Sequence, residues 1–246
     1  MYNLVVARYN EDINWINDVP LDNMLIYLYN KGPDVDLPEK IYYNVYNNHL
    51  SKIATRYNKF NAFKQPIPTT IKLNFIKEQV PNIGREAHTY VYHIVKNYAN
   101  LNPDDVTVFT QGRYHDHVGS MENFKNMVLE ADQHGFCHSR ARYHNIPMSD
   151  QPLPSFRLLE WPKGNFLEKN RYDQYFGEWF NRLLNKDVPE LPQYKWIPGA
   201  IFAIKNNIIL EKPLSFYEEL LREFHTNSSQ PEVAHFFERA WYYIFF

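Results

Sequence analysis

Three short polar clusters, each directly after an apolar run, hold the side chains of this sequence best suited to chemistry. The first is Arg8-Tyr9-Asn10-Glu11-Asp12, the second Tyr29-Asn30-Lys31-Gly32, and the third Gln111-Gly112-Arg113-Tyr114-His115-Asp116-His117. Brought together, they would give a crevice amides, a lysine, two arginines, a carboxylate and imidazoles. The run His115-Asp116-His117 could offer mixed nitrogen and oxygen ligands to Mn or Zn; on a strand, His115 and His117 would both face the crevice while Asp116 faces away. It follows Gly112, so a surface loop with exposed histidines is the alternative. A fourth cluster, Asn82-Ile83-Gly84-Arg85-Glu86, opens a helix, where free amides and the positive dipole end attract anions. Arg85 and Glu86 could meet phosphate or sugar hydroxyls there; equally, Asn82 could cap the helix and Glu86 complement its dipole. His88 and Tyr92, four apart, share one face of that helix, and packing explains them as well.

The elements that must position these clusters alternate. Asn3 to Ala7, Met24 to Tyr29 and Asp105 to Thr110 are continuous runs of strand formers. Between and after them, helical spacing is predicted for Asp12 to Asn17, Gly84 to Tyr98 (apolar at 87, 90, 91, 94, 95 and 98) and Ser120 to about Asp132. Arg140 to Pro154 is polar and carries Pro147, Pro152 and Pro154, as a long surface loop would. Tyr172 to Leu184 is predicted helical, Trp196 to Ile204 strand-like around a Pro-Gly kink, and Ser215 to Phe224 and Glu232 to Phe245 two closing helices. Strands that are apolar throughout and alternate with helices indicate an α/β fold with a mainly parallel sheet covered on both faces. Ligands of such sheets bind at the carboxyl ends of the strands, where the three clusters fall.

Motifs and composition remove several classes. No G-x-x-x-x-G-K-[ST], G-x-G-x-x-G or G-x-S-x-G follows a strand, which disfavours P-loop chemistry, dinucleotide binding and the α/β-hydrolase elbow. A net charge of −2 gives no basic field, so no nucleic-acid partner is expected. No apolar run approaches the roughly 20 residues that span a bilayer, so no membrane span is expected. Cys137 is the single cysteine, which precludes an internal disulfide and any multi-cysteine zinc site. His134, His138 and His144 around it lack the H-E-x-x-H arrangement of a zinc hydrolase. With no signal-like start in MYNLVVARYNED, a cytoplasmic protein is expected.

Several segments together carry a resemblance: VVARYNEDINWI (5 to 16), PNIGREAHTYVYHIV (81 to 95), VTVFTQGRYHDH (106 to 117), PGAIFAI (198 to 204) and HFFERAWYYIF (235 to 245). The opening strand followed by Arg-Tyr-Asn-Glu-Asp resembles the start of GT-A-type glycosyltransferases, whose first strand end cradles the nucleotide of a sugar donor. The set, in order along nearly the whole chain, resembles a family of glycosyltransferase-like proteins of unassigned activity. The resemblance implies one GT-A-like (Rossmann-like) domain over residues 1–246, with a nucleotide-binding part to about 118 and an acceptor side from about 119. It implies transfer from a nucleotide-sugar donor, most simply UDP-linked, to a carbohydrate acceptor. One departure stands out. GT-A enzymes usually place Asp-x-Asp after a central strand to hold a divalent ion, whereas this strand ends in Thr110-Gln111-Gly112 with Asp116 farther on. Asp34-Val35-Asp36 lies in a Pro-flanked loop and is expected to be solvated.

Such a transfer needs a held nucleoside, a neutralised diphosphate and a proton acceptor for the incoming hydroxyl. Ala7, Arg8, Tyr9 and Asn30 are the candidates for the nucleoside, although Tyr9 and Asn30 could merely finish turns. For the diphosphate, the candidates are Asp116 and Gln111 through Mn or Mg, with His115 and His117 as further ligands, or Arg8, Lys31 and Arg85 without a metal. Glu238, beside Arg239 and Trp241, is the candidate catalytic base or acceptor-site carboxylate, with Asp116 the second catalytic candidate. Trp241 and Trp161 are candidate sugar-stacking residues, and Glu160 could join Trp161 in an acceptor groove. A metal-dependent hydrolase built on His115, Asp116 and His117, and a non-catalytic carbohydrate-binding module, are the alternatives.

Overall fold

The computed structural model describes residues 1–19, 21, 24–37, 40–43, 68–71, 74–139, 153–157, 172–190, 195–225 and 228–246. Trp161, Glu160, His144 and most of the Pro-rich loop lie outside them.

A six-stranded mixed sheet forms the centre, in the order β5-β2-β1-β6-β8-β7. Its strands are β1 (Tyr2–Arg8), β2 (Met24–Asn30), β5 (Asn74–Gln79), β6 (Val106–Gln111), β7 (Phe136–His138) and β8 (Phe202–Lys205). The four strands β5, β2, β1 and β6 run parallel, while β8 pairs antiparallel with both β6 and β7. Two further strands, β3 (Lys40–Tyr43) and β4 (Pro68–Ile71), pair antiparallel in a separate ribbon. The expected α/β class and the mainly parallel sheet are therefore present, with the antiparallel β8 as an addition.

Seven helices are described: α1 (Arg85–Asn97), α2 (His115–Val118), α3 (Met121–His134), α4 (Phe176–Leu184), α5 (Asn206–Leu210), α6 (Leu214–Arg222) and α7 (Glu232–Phe245). They cover both faces of the sheet, which explains why β1, β2 and β6 read as continuous apolar runs. In β1, Val5 and Ala7 point to the side of α1, α4, α6 and α7, while Leu4 and Val6 point to the side of α3. In β8, Phe202 and Ile204 take the first side and Ala203 the second. No described helix is long and apolar enough to cross a membrane.

Local chemistry sets the boundaries. Ser120 caps α3 as expected, its hydroxyl accepting from Asn123 N at 3.1 Å. The predicted helix at 12–17 is a 3₁₀ turn over Asn14–Asp18. The helix expected from Tyr172 starts only at Phe176, because Glu178 reaches back to accept from the amides of Gln174 and Tyr175 and holds them extended. The strand expected from Trp196 starts at Phe202, because Pro198–Ala200 forms a 3₁₀ turn with Gly199 at φ 74° and Ala200 at φ 51°.

Candidate functional site: a polar cleft at the carboxyl edge of the sheet

The parallel register brings three of the chemical clusters together. Arg8 lies opposite Asn30, and Ala7 opposite Gln111, so the carboxyl ends of β1, β2 and β6 form one edge. The ladder continues past the strands, with Lys31 N donating to Arg8 O (2.7 Å) and Gly112 N to Ala7 O (2.8 Å). A cleft of about 410 Å³ opens there. Of the donor-binding candidates, Ala7, Arg8, Tyr9, Lys31, Arg85 and Gln111 line it. Glu11, Asn82, Glu86, Ser229 and Gln230 complete the wall.

The candidates divide into framework and open surface. Asn30 is fully buried, and its amide is consumed within the protein: Oδ1 accepts from Arg8 Nη1 (2.6 Å) and Nδ2 donates to Pro33 O and Gln79 Oε1 (both 2.8 Å). It therefore fixes the β2 end rather than a nucleoside, and the nucleoside assignment is corrected. Arg8 is a strut as well. Its Nε donates to Glu11 O (2.9 Å) and its Nη1 to Pro33 O (2.8 Å), tying the first two strand ends. Gly32 is required between them, because a Cβ there would lie 1.7 Å from Tyr9 O. Tyr9 is the open aromatic of the cleft, 49% exposed. Its amide donates to Glu11 Oε2 at 2.7 Å.

Lys31, like Arg8, is a buried basic residue, only 8% exposed. Its Nζ donates to the carbonyls of Ile83 and Arg85 at the start of α1. Burial pushes its pKa down to about 7, against a partial offset from Glu86. The same burial, with Lys31 next to it, holds His88 down at about 4, so His88 is neutral near pH 7; its ring stacks on Tyr92 and meets Phe224 edge-on.

The start of α1 is a tight left-handed turn. Gly84 has φ 62° and Arg85 φ 52°, and Gly84 N donates to Ser228 O at 3.0 Å. Helical hydrogen bonding begins with His88 N to Gly84 O, so the first-turn amides have no carbonyl within the helix. A Cβ on Gly84 would lie 2.4 Å from the Phe224 ring. Gly84→Ala is expected to lower stability by about 1–3 kcal/mol through strain and overlap, measured by denaturant unfolding. An unchanged midpoint would show that the turn relaxes freely.

Glu238 stands behind this wall. Its Oε1 accepts from Gly199 N at 2.9 Å and its Oε2 is 3.8 Å from His235 Nδ1. His235 Nε2 in turn is 3.4 Å from Arg85 Nη1, and Gln111 Nε2 donates to Gly199 O at 2.9 Å. An arc thus runs from Arg85 through His235, Glu238 and Gly199 to Gln111, bracing two walls of the cleft. Burial alone would raise the Glu238 pKa, but His235, the Gly199 amide and Arg239 hold it at about 2. A carboxylate so acidic is a weak base, and Glu238 does not line the cleft. The carboxylates that do are Glu11 and Glu86.

The remaining candidates are placed elsewhere. Trp241 is fully buried between Phe202, Phe237 and Phe245, so it cannot stack on a sugar. His115, Asp116 and His117 form the one-turn helix α2, where successive side chains diverge by roughly 100°. His115 and Asp116 are exposed, and Asp116 lies 3.8 Å from Arg113. The His117 ring packs over Gly199, where a Cβ would come within 2.3 Å of it. Among the described residues, no group of three His, Cys, Asp or Glu side chains is arranged to hold a metal ion. The expected metal set of His115, Asp116 and His117 is corrected accordingly, and Asp116 with it as a catalytic group of the cleft. Asp34 is a solvated partner of Lys77, as expected of that loop. Cys137 is buried and its thiol donates to Glu130 Oε2 at 3.1 Å.

Glu11, Ser229 and Gln230 are cleft residues that the sequence did not single out. Glu11 sits within the first polar cluster, so its position was available; Ser229 and Gln230 carried no signal, because only tertiary docking brings them to α1.

Fold and cleft together define an α/β protein with a polar, mixed-charge cavity at the carboxyl edge of its sheet. The chain belongs to the family described as "Protein of unknown function (DUF3431)", whose profile matches residues 68–246. The match includes Arg85 and Gln111 but begins after Arg8 and Lys31. No curated protein matches the chain.

Proposed function

We propose that the protein is a GT-A-like glycosyltransferase that takes a nucleotide-activated sugar, UDP-linked in the first instance, and passes the sugar to a carbohydrate acceptor. The observation that carries this reading is the cleft itself. About 410 Å³ suits a small polar ligand, and Tyr9, Lys31, Arg85 and Gln111 meet at the carboxyl ends of three parallel strands. The exposed Tyr9 ring offers a base a stacking surface. Lys31, Arg85 and the first-turn amides of α1 offer positive potential to a departing diphosphate. Proton removal from the acceptor hydroxyl falls to a cleft carboxylate, Glu11 or Glu86, in place of Glu238. The cleft draws on both halves of the chain, since Ser229 and Gln230 close it. The described residues do not supply the metal site usual in GT-A enzymes, so no step is assigned to Mn or Mg.

A thermal-shift series with UDP-, GDP- and dTDP-sugars, each with and without Mn²⁺, tests the proposal. A ligand at about 100 times its Kd adds roughly 2.7 kcal/mol to the native state, a rise of about 5–10 °C for a chain of this size. A rise with one nucleotide class is expected, reduced in Arg85→Ala. If no nucleotide shifts the melting temperature, the transferase reading fails; a response to free glycans alone would point to the carbohydrate-binding module.

A further inference from the structure

A second cavity, of about 320 Å³, lies between α3 and the end of β7. Both β6 and β7 pair antiparallel with β8, so β7 ends at the same edge of the sheet as β6. Asn123, Asn126 and Met127, at spacings of three and four, share the face of α3 that forms one wall. Cys137 and Ser139, two apart along the chain, form the other, with Ser139 N fixed on Ile201 O at 3.0 Å. The buried Val118, Met127 and Cys137 belong to the core on the α3 side and give the cavity an apolar floor. Its polar groups are not spent within the protein. Ser139 is only 4% exposed, yet its Oγ is buried with no hydrogen-bond partner among the described residues. Leaving a hydroxyl so placed costs free energy that a ligand in the cavity would return. Asn123 uses Nδ2 on Val118 O (3.1 Å) and keeps Oδ1 for another partner. The exposed Asn126 amide makes no side-chain hydrogen bond among the described residues.

We propose that this cavity binds a small, neutral, polyhydroxylated molecule, a monosaccharide or a short polyol. A ligand hydroxyl both donates and accepts, which matches the Ser139 hydroxyl, the Asn126 amide and Asn123 Oδ1 together. The C–H face of such a ligand would lie on Val118 and Met127. Phosphates and other anions are opposed, because the described lining residues include the carboxylate of Glu130 and no lysine or arginine. That carboxylate accepts from the Cys137 thiol at 3.1 Å. The volume falls at the lower end of the roughly 300–1,000 Å³ of ligand pockets, so the ligand is small. The two cavities share no described lining residue, and the inference does not rest on glycosyl transfer.

Saturation-transfer NMR on the full chain tests this, with glucose, mannose and sorbitol as probes and ethanolamine as a cationic control. Transfer to at least one polyol is expected. Its Kd should rise roughly three- to tenfold in Ser139→Ala, through the loss of one hydrogen bond, and stay unchanged in Arg85→Ala. Should Ser139→Ala fail to fold, Asn126→Ala, on the exposed side of α3, decides in its place. No transfer to any polyol, or an unchanged Kd in the deciding variant, overturns the proposal. Loss of binding in Arg85→Ala also overturns it, by putting the sugar in the first cleft, and so does binding of ethanolamine alone. The probes contain no nucleotide and the UDP-sugar response is read through Arg85, so failure of that series and failure of this one are separate results.

Discussion

Between pH 7.5 and 9.5 the natural protein should gain about 1.4 kcal/mol of unfolding free energy per pH unit that Lys31→Met does not gain. The sign follows from the direction of the shift. Lys31 has a folded pKa of about 7 and an ordinary value of 10.5. Across that window the unfolded chain holds a proton that the folded chain has released. Raising the pH removes the unfolded state's advantage, so stability rises until the ordinary value is passed. Buried tyrosines act oppositely above the window: burial raises Tyr90 well beyond the usual phenol range, so alkali eventually favours unfolding. The difference between the two proteins over the window isolates the lysine, at roughly 2–3 kcal/mol in total. Lys31→Met also removes the ties to Ile83 O and Arg85 O, which offsets its curve without altering the slope. Denaturant titrations at four or five pH values suffice; parallel curves for the two proteins would show that Lys31 is not held as a buried amine.

Trp241→Ala should cost about 3–5 kcal/mol, as expected for a large aromatic removed from a closed core. Trp241 is fully buried, and Phe202 and Phe237 lie at ring-centroid distances of 5.4 and 5.5 Å. Its indole N–H is buried with no hydrogen-bond partner among the described residues. Trp241→Phe removes that unpaired donor together with some volume, so its cost should be well below that of the alanine variant. The nucleotide response of Trp241→Phe should equal that of the natural chain, because no atom of Trp241 lines the cleft. A stable Trp241→Ala protein that had lost sugar binding would instead restore Trp241 to the acceptor site.

These two residues mark what the sequence could convey. The strands at 2–8, 24–30 and 106–111 were legible because both faces of each are covered, leaving continuous apolar runs that only a buried strand explains. β5 was not, because Asn74–Gln79 is a largely solvated edge without apolar alternation. β7 has three residues, too few for any period, and nothing local announces that β8 runs antiparallel between β6 and β7. In the site, Lys31 and Gln111 were found because a parallel sheet aligns its strand ends, and Arg85 because its cluster opens a helix. Asn30 and Arg8 met the same criterion yet became framework, since polar groups at a crowded strand end first satisfy one another. Trp241 was misplaced for a different reason. Its neighbours Phe237, Ile244 and Phe245 share its face of α7, and that spacing marked a core stripe that the nearby Glu238 and Arg239 obscured.

The position of β8 also shapes how the chain is made. It sits in the sheet between β6 and β7, yet it follows both in sequence by more than sixty residues (202 against 111 and 138). As the chain leaves the ribosome, the open edge of β6 and the whole of β7 must wait for β8 before either can pair. For that interval a row of unpaired backbone groups, flanked by Phe109 and Val108, is available to other nascent chains. The C-terminal third therefore acts as a closing piece, and overproduction without folding assistants should favour aggregates through that gap rather than through the finished surface.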